Sequence, residues 1–97
     1  MAKGYWITTY KSISDMSKVE AYAKLAGPAI EAHGGTCVAR GIAVVTYEAG
    51  IKERTVLSVF PSVEDAIVAH DSDGYAAALA ALGDGAVREI RIVEGIA

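Results

Sequence analysis

Apolar and polar positions alternate from Thr36 to Tyr47 and again from Arg54 to Phe60, and both runs are rich in Val, Thr and Ile. That pattern predicts two strands rather than helices. Between them, Glu48-Ala-Gly-Ile-Lys-Glu53 gathers the Gly and the charges that a hairpin connection favours. The stretch from Gly34 to Phe60 thus reads as a hairpin on which the rest of the chain packs. Upstream, Tyr5 to Tyr10 is a run of β-favouring residues without a charge, expected in the middle of a sheet, and Lys11 to Ser14 reads as its exit loop. The period then changes. Val19, Tyr22, Ala23, Ala26, Ala29 and Ile30 form one helical stripe, with Ser17-Lys-Val-Glu20 as a capping box. Pro28 is expected to kink or split this helix, and Gly34-Gly35 to end it. Downstream, Ser62 caps a second helix carrying Val63, Ala66, Ile67 and His70 on one side. Asp71 to Gly74 interrupts it, Tyr75 to Leu82 adds an Ala-rich helical turn or two, and Gly83-Asp84-Gly85 stops it. Val87 to Val93 closes the chain as a strand of mixed charge.

The order is βαββαβ, in two similar halves, which points to an α+β, ferredoxin-like sandwich: a four-stranded antiparallel sheet with helices on one face. Its first and third strands should be central. The charge-free runs Tyr5 to Tyr10 and Thr55 to Phe60 fit there, while Arg40 and the set Arg88, Glu89, Arg91 fall on the expected edges, where charge discourages unwanted pairing. Both faces of the central strands are apolar. Ile7, Leu57 and Val59 fall on one, and Trp6, Tyr10, Val56 and Phe60 on the other. Helices can cover only one of these, and an uncovered second face exceeds what monomers usually expose. A homodimer with two sheets stacked face to face is therefore expected.

Composition strengthens that expectation. The 97 residues suffice for a single domain, 1–97, yet 53% are hydrophobic and the mean hydropathy is +0.31, so the excess needs a partner surface. No apolar run approaches the ~20 residues of a membrane span. The opening Met1-Ala-Lys-Gly-Tyr-Trp lacks the order of a signal peptide, so no membrane and a cytoplasmic location are expected. One cysteine, Cys37, allows no internal disulfide. A net charge of −3 without a Lys/Arg cluster argues against nucleic acid. Arg40-Gly-Ile-Ala-Val-Val-Thr-Tyr47 follows an RNA-recognition pattern at most positions, but Ile42 and Val44 stand where rings would stack on bases.

Gly34-Gly35, Arg40-Gly41, the Glu48 to Gly50 tip, Arg54 followed by Val56 to Phe60-Pro61-Ser62, Asp71-Ser72 with Tyr75, and Ile92-Val-Glu-Gly95 together resemble the family called domain of unknown function 1330. The resemblance spans nearly the whole chain. It implies the dimeric α+β barrel superfamily, which also holds cofactor-independent monooxygenases, muconolactone-isomerase-like proteins and chlorite-dismutase-like haem proteins. The chain departs from the family's usual pattern around the second helix. Asp73-Gly74 precedes Tyr75, Ala69-His70 stands where an aromatic pair is frequent, and Leu82-Gly83 where an Arg often occurs.

Arg40 is the most informative polar residue, because a guanidinium flanked by Val38 and Ile42 on a strand needs an anionic partner. It could orient a substrate carboxylate or enolate; the plainer reading is a salt bridge to Glu48, Asp71 or an acid of a partner chain. Arg54 opens its strand beside the tip and reads as a surface or edge residue, with substrate contact as the functional option. His70 could move a proton with Tyr75 or Tyr10 nearby, against the plainer reading of a half-buried ring beside Ile67. His70 and the adjacent Asp71 are not expected to pair while both are helical, since neighbours on a helix point about 100° apart. Trp6, Tyr10 and Tyr22 could shape an aromatic pocket, with Asp71 as a further substrate contact, though core packing accounts for most such rings. His33 suits a helix C-terminus, and Cys37 reads as a small buried residue. Two His and one Cys give no metal spacing, leaving one His per subunit as the remaining option for a haem, and no Gly-rich dinucleotide loop or Gly-x-Ser-x-Gly elbow occurs. No cofactor is expected. The sequence reading is a site for an aromatic or polyketide-like acid in a homodimer, with cofactor-free isomerase, lyase or monooxygenase chemistry on one side and a non-catalytic sensing or structural module on the other.

Overall fold

The computed structural model describes residues 2–97. Its strands are β1 (Gly4–Ile13), β2 (Thr36–Ile42), β3 (Arg54–Phe60) and β4 (Ala86–Glu94), and its helices α1 (Met16–Ala32), α2 (Val63–His70) and α3 (Asp73–Leu82). The strands form one antiparallel sheet in the order β2-β3-β1-β4. The charge-free runs Tyr5 to Tyr10 and Thr55 to Phe60 lie in the two central strands, and Arg40, Arg88, Glu89 and Arg91 lie on the edge strands, the arrangement of a ferredoxin-like α+β sandwich with its helices on one face.

Alternation along β1 decides what each face carries. Trp6, Thr8 and Tyr10 are buried under the helices, whereas Tyr5, Ile7 and Thr9 turn to the other face and are only half-buried. Register extends this across the sheet: Ile7 pairs with Leu57 and Tyr5 with Val59 on the open face, Trp6 with Ser58 and Thr8 with Val56 on the helical face. Bulk in the core comes from rings, namely Trp6, Tyr10, Phe60, Tyr22 and Tyr75, while the buried positions of the helices are mostly alanine: 26, 29, 66, 69 and 78. Alanine lets helices approach one another and the sheet closely, and α1 packs chiefly on α3.

Several local expectations are corrected. Strand β2 stops at Ile42, not Tyr47, because its partner β3 begins at Arg54, opposite Ile42. The connection is lopsided, so residues 43–47 have no strand to pair with beyond the Ala43 N–H to Glu53 carbonyl bond of 3.2 Å. They form an arm whose Val44 and Tyr47 are 90% and 78% exposed. Strand β1 continues to Ile13 across an irregularity between Tyr10 and Ser12, so Lys11 to Ser14 is largely strand rather than loop. Asp15, not Ser17, caps α1: its carboxylate accepts from the Ser17 and Lys18 amides, and it is held below the usual carboxylate range chiefly by the Ser17 hydroxyl.

Pro28 does not split α1. The Lys24 carbonyl it deprives of a partner sits on the exposed side, while Ala26 and Ala29 remain anchored. Gly34 follows the His33 cap with a φ of 85°, the positive value that ends the helix. Ser62 caps α2 through the Asp65 amide at 3.1 Å, as expected. Ser72 caps α3 from Asp73, two residues ahead of the expected start at Tyr75. Ala66 and Ala69 carry the buried side of α2, and Ile67 is exposed. Among the described residues, no helix is long and apolar enough to cross a membrane.

Candidate ligand-binding site

Because α1 lies mainly against α3 and hardly touches β2, the helical face of the sheet is left with a slot on the β2 side. The slot encloses a cavity of about 110 Å³. Its floor is Thr8, Ser58 and Val56 from the two central strands, and its inner wall holds Trp6, Tyr10 and Tyr22. Along its mouth run Ala23, Gly27 and Glu31, four residues apart on α1, opposite Cys37 and Arg40 on β2. A Cβ built on Gly27 would meet nothing within 4 Å, so the absence of a side chain there holds the mouth open.

Three arginines from three strands reach this cavity: Arg40, Arg54 and Arg88. Register explains the convergence. Thr8 pairs with Val56 and Thr9 with Thr55, so the next residues on the helical face, Tyr10 and Arg54, are neighbours, and Tyr10 pairs with Arg88 on its other side. The Tyr10 ring thus lies between two guanidinium groups, with centroid distances of 5.9 Å to Arg54 and 5.5 Å to Arg88. Arg40 joins them one row on, beside Val56.

Arg88 is held rigidly. Its guanidinium stacks 4.2 Å over the Tyr22 ring and donates to the hydroxyls of Tyr10 at 3.3 Å and Tyr75 at 3.1 Å. The Tyr75 hydroxyl lies 2.8 Å from that of Tyr22. Burial, with Tyr22 alongside, pushes the Tyr75 phenol well above its ordinary value, so near neutrality it is a proton donor. Arg54 and Arg40 are different. Among the described residues neither forms a salt bridge or a side-chain hydrogen bond, and the buried Nε of Arg54 has no partner. The salt bridge expected of Arg40 with Glu48 or Asp71 is not formed: Arg40 lines the exposed mouth of the cavity, and Asp71 pairs with His70.

The structure therefore gathers Trp6, Tyr10, Tyr22, Arg40 and Arg54 around one cavity and places Tyr75 behind Tyr22, fully buried. His70 and Asp71 lie elsewhere. The His70 ring packs on the far sides of Trp6, at 5.6 Å, and Tyr75, at 5.2 Å, instead of beside Ile67. Its Nδ1 meets the exposed Asp71 carboxylate at 3.0 Å. The pairing not expected of helical neighbours forms because α2 ends at His70 and Asp71 is its C-cap. Cys37, expected to be buried, is exposed at the mouth, since α1 does not cover β2. Arg88 lies on the edge strand β4, as expected of its charge, but it alternates with Ile90 and Ile92 and shares their helical face; that spacing is the signal for its place in the site. Among the described residues no cluster of three or more His, Cys, Asp or Glu is placed to hold a metal ion.

The pattern of the family described as "Domain of unknown function (DUF1330)" matches residues 3–96. The chain belongs to this family. No curated protein matches the chain. Similarity to solved structures extends the DUF1330 fold across long sequence distances. A protein of unknown function from Rhodopseudomonas palustris superposes with a TM-score of 0.75 at 14% identity, over 99% of this chain and 84% of that one. A dimeric ferredoxin-like protein of unknown function from Thermobifida fusca gives 0.65 at 17% identity, over 96% and 91%. A Caulobacter crescentus protein assigned provisionally to the antibiotic biosynthesis monooxygenases gives 0.60 at 16% identity, over 99% and 91%. Of the residues that carry the DUF1330 resemblance, Arg40 and Arg54 both line the cavity.

Proposed function

We propose that this DUF1330 chain binds a small organic acid in the slot between α1 and β2, its carboxylate held by Arg40 and Arg54 and backed by Arg88. The observation that carries this reading is a mostly apolar cavity rimmed by three guanidiniums without a carboxylate paired to any of them among the described residues. The buried Nε of Arg54 is without a partner, which is costly, and a carboxylate offers the two parallel bonds a guanidinium fork is shaped for. Size limits the ligand. The volume of about 110 Å³ is below the ~150 Å³ of a cavity that takes benzene, so the acid group and a short chain, or part of one ring, fit inside. A fused polyketide would extend through the mouth at Gly27.

A catalytic reading has one observation in its favour: every polar group on the floor and inner wall is a hydrogen-bond donor, and the Tyr22 and Tyr75 hydroxyls connect the cavity to a buried phenol. Such a set would stabilise an enolate as well as a carboxylate, as a cofactor-independent isomerase, lyase or monooxygenase requires. Glu31 at the mouth is the carboxylate positioned to act as a base, and Tyr75 could serve only through Tyr22. His70 and Asp71 have no part in this chemistry.

The protein acts as a homodimer in this reading. Tyr5, Ile7, Leu57 and Val59 form an apolar face that no helix covers, the arm of residues 43–53 projects beside it, and the similar Thermobifida fusca protein is described as dimeric. The decisive experiment is a thermal-shift screen of small carboxylic acids against wild type, Arg40→Ala and Arg54→Gln. Stabilisation of wild type alone supports the acid site. Equal response of all three, or none, refutes it.

A further inference from the structure

We infer that the ligand carries a second oxygen, a hydroxyl or carbonyl, some three to five bonds from its carboxylate, and that Ser58, assisted by Thr8, reads it; this rests on the acid-binding reading above. Ser58 is 2% exposed and lines the cavity floor, and its hydroxyl makes no hydrogen bond among the described residues. Thr8, 4% exposed, lies on the same floor. Its Oγ1 accepts from the Trp6 indole N–H at 3.0 Å, which leaves its own O–H free to donate. A ligand that fills the cavity would cut both hydroxyls off from water, and a purely hydrocarbon tail would then leave them without a partner.

Geometry sets the spacing. Arg40 pairs with Val56 across the β2–β3 ladder, and Ser58 is the next residue of β3 on the same face, one side-chain repeat of about 7 Å from Val56. A carboxylate on the guanidinium fork and an oxygen on Ser58 are thus separated by a short carbon chain or one ring. A 3-hydroxy or 3- or 4-oxo acid has this form and the right bulk, and a hydroxybenzoate has this form. Hydrogen-bonding floors of this kind discriminate strongly, because an analogue without the oxygen strands the buried donors.

The test is isothermal titration of matched acids: butyrate against 3-hydroxybutyrate and acetoacetate, and benzoate against 3- and 4-hydroxybenzoate. Wild type is expected to bind an oxygenated member about 10-fold or more tightly than its parent acid. In Ser58→Ala this preference should shrink to about twofold, with the parent acid bound at least as tightly as by wild type because no hydroxyl is left stranded, a pattern that general loss of structure would not give. Ser58→Cys, similar in volume and a weaker donor, provides the same comparison should Ser58→Ala fail to fold. If parent and oxygenated acids bind wild type equally, the inference falls and the acid site stands. A preference that survives in Ser58→Ala also overturns it. If none of the acids binds, both fall.

Discussion

Tyr22 and Tyr75, on different helices, meet hydroxyl to hydroxyl at 2.8 Å with their rings edge-on at 81°. Tyr75 also receives the Arg88 Nη2, so one buried oxygen ties α1, α3 and β4 together. Removing it in Tyr75→Phe strands a guanidinium donor and a phenol. The expected loss is about 1–3 kcal/mol, read as a Tm lower by roughly 4–8 °C for each kcal/mol in a domain of this size.

The same hydroxyl makes stability sensitive to alkali. Folded Tyr75 holds its proton above the ordinary phenol value of 10.0, mainly because it is buried. Above pH 10 the unfolded chain releases this proton and the folded chain keeps it, so the stabilisation is complete below that pH and is lost as pH rises further. The slope approaches about 1.4 kcal/mol per pH unit. Urea unfolding at pH 9, 10 and 11 should show the decline, and Tyr75→Phe should flatten it.

Arg54 separates binding from stability. Its buried Nε lacks a partner in the free protein, so Arg54→Met should leave unfolding free energy unchanged or raise it by up to about 1 kcal/mol. Acid affinity should fall 10-fold or more. An arginine with a structural role would give the reverse: an unstable variant with its affinity intact wherever it folds.

Gly27 permits a complementary test. Nothing lies within 4 Å of a Cβ at this position, and leucine is a better helix former than glycine by up to about 1 kcal/mol. Gly27→Leu is expected to raise Tm and abolish ligand-induced shifts by closing the mouth.

On the opposite face, Leu57→Glu puts a charge at the centre of the uncovered apolar surface, opposite Ile7. Multi-angle light scattering should then report the protomer mass of 10.1 kDa where wild type gives twice that. Wild type eluting as a monomer at micromolar concentration would refute the dimer.

Much of this architecture was legible because alternation and charge placement are local signals. The uncharged runs at Tyr5 to Tyr10 and Thr55 to Phe60 identify the central strands, and Ser62 followed by two acids marks a helix start without reference to the fold. The misread parts depend on pairing. Nothing in Thr36 to Tyr47 itself says that its partner starts at Arg54, so the strand seemed five residues longer than β3 can support. For Arg88 the edge strand is as expected, and its charge says nothing of the face it takes: its phase with Ile90 and Ile92 puts it on the helical face, and its partners Tyr10, Tyr22 and Tyr75 make that position tenable. His70 was singled out for its chemistry, which carries no positional information.

The core divides its labour unevenly, with wide rings rising from the sheet and bare methyl groups descending from the helices. Clearance above the slot is therefore governed by helical positions that touch no ligand. A homologue with valine or leucine at 29 or 78, neither of which lines the cavity, would jack its roof upward and accept a longer guest with its arginines untouched. Variation in cargo across such relatives should track the girth of these few methyls more closely than the identity of the charged groups.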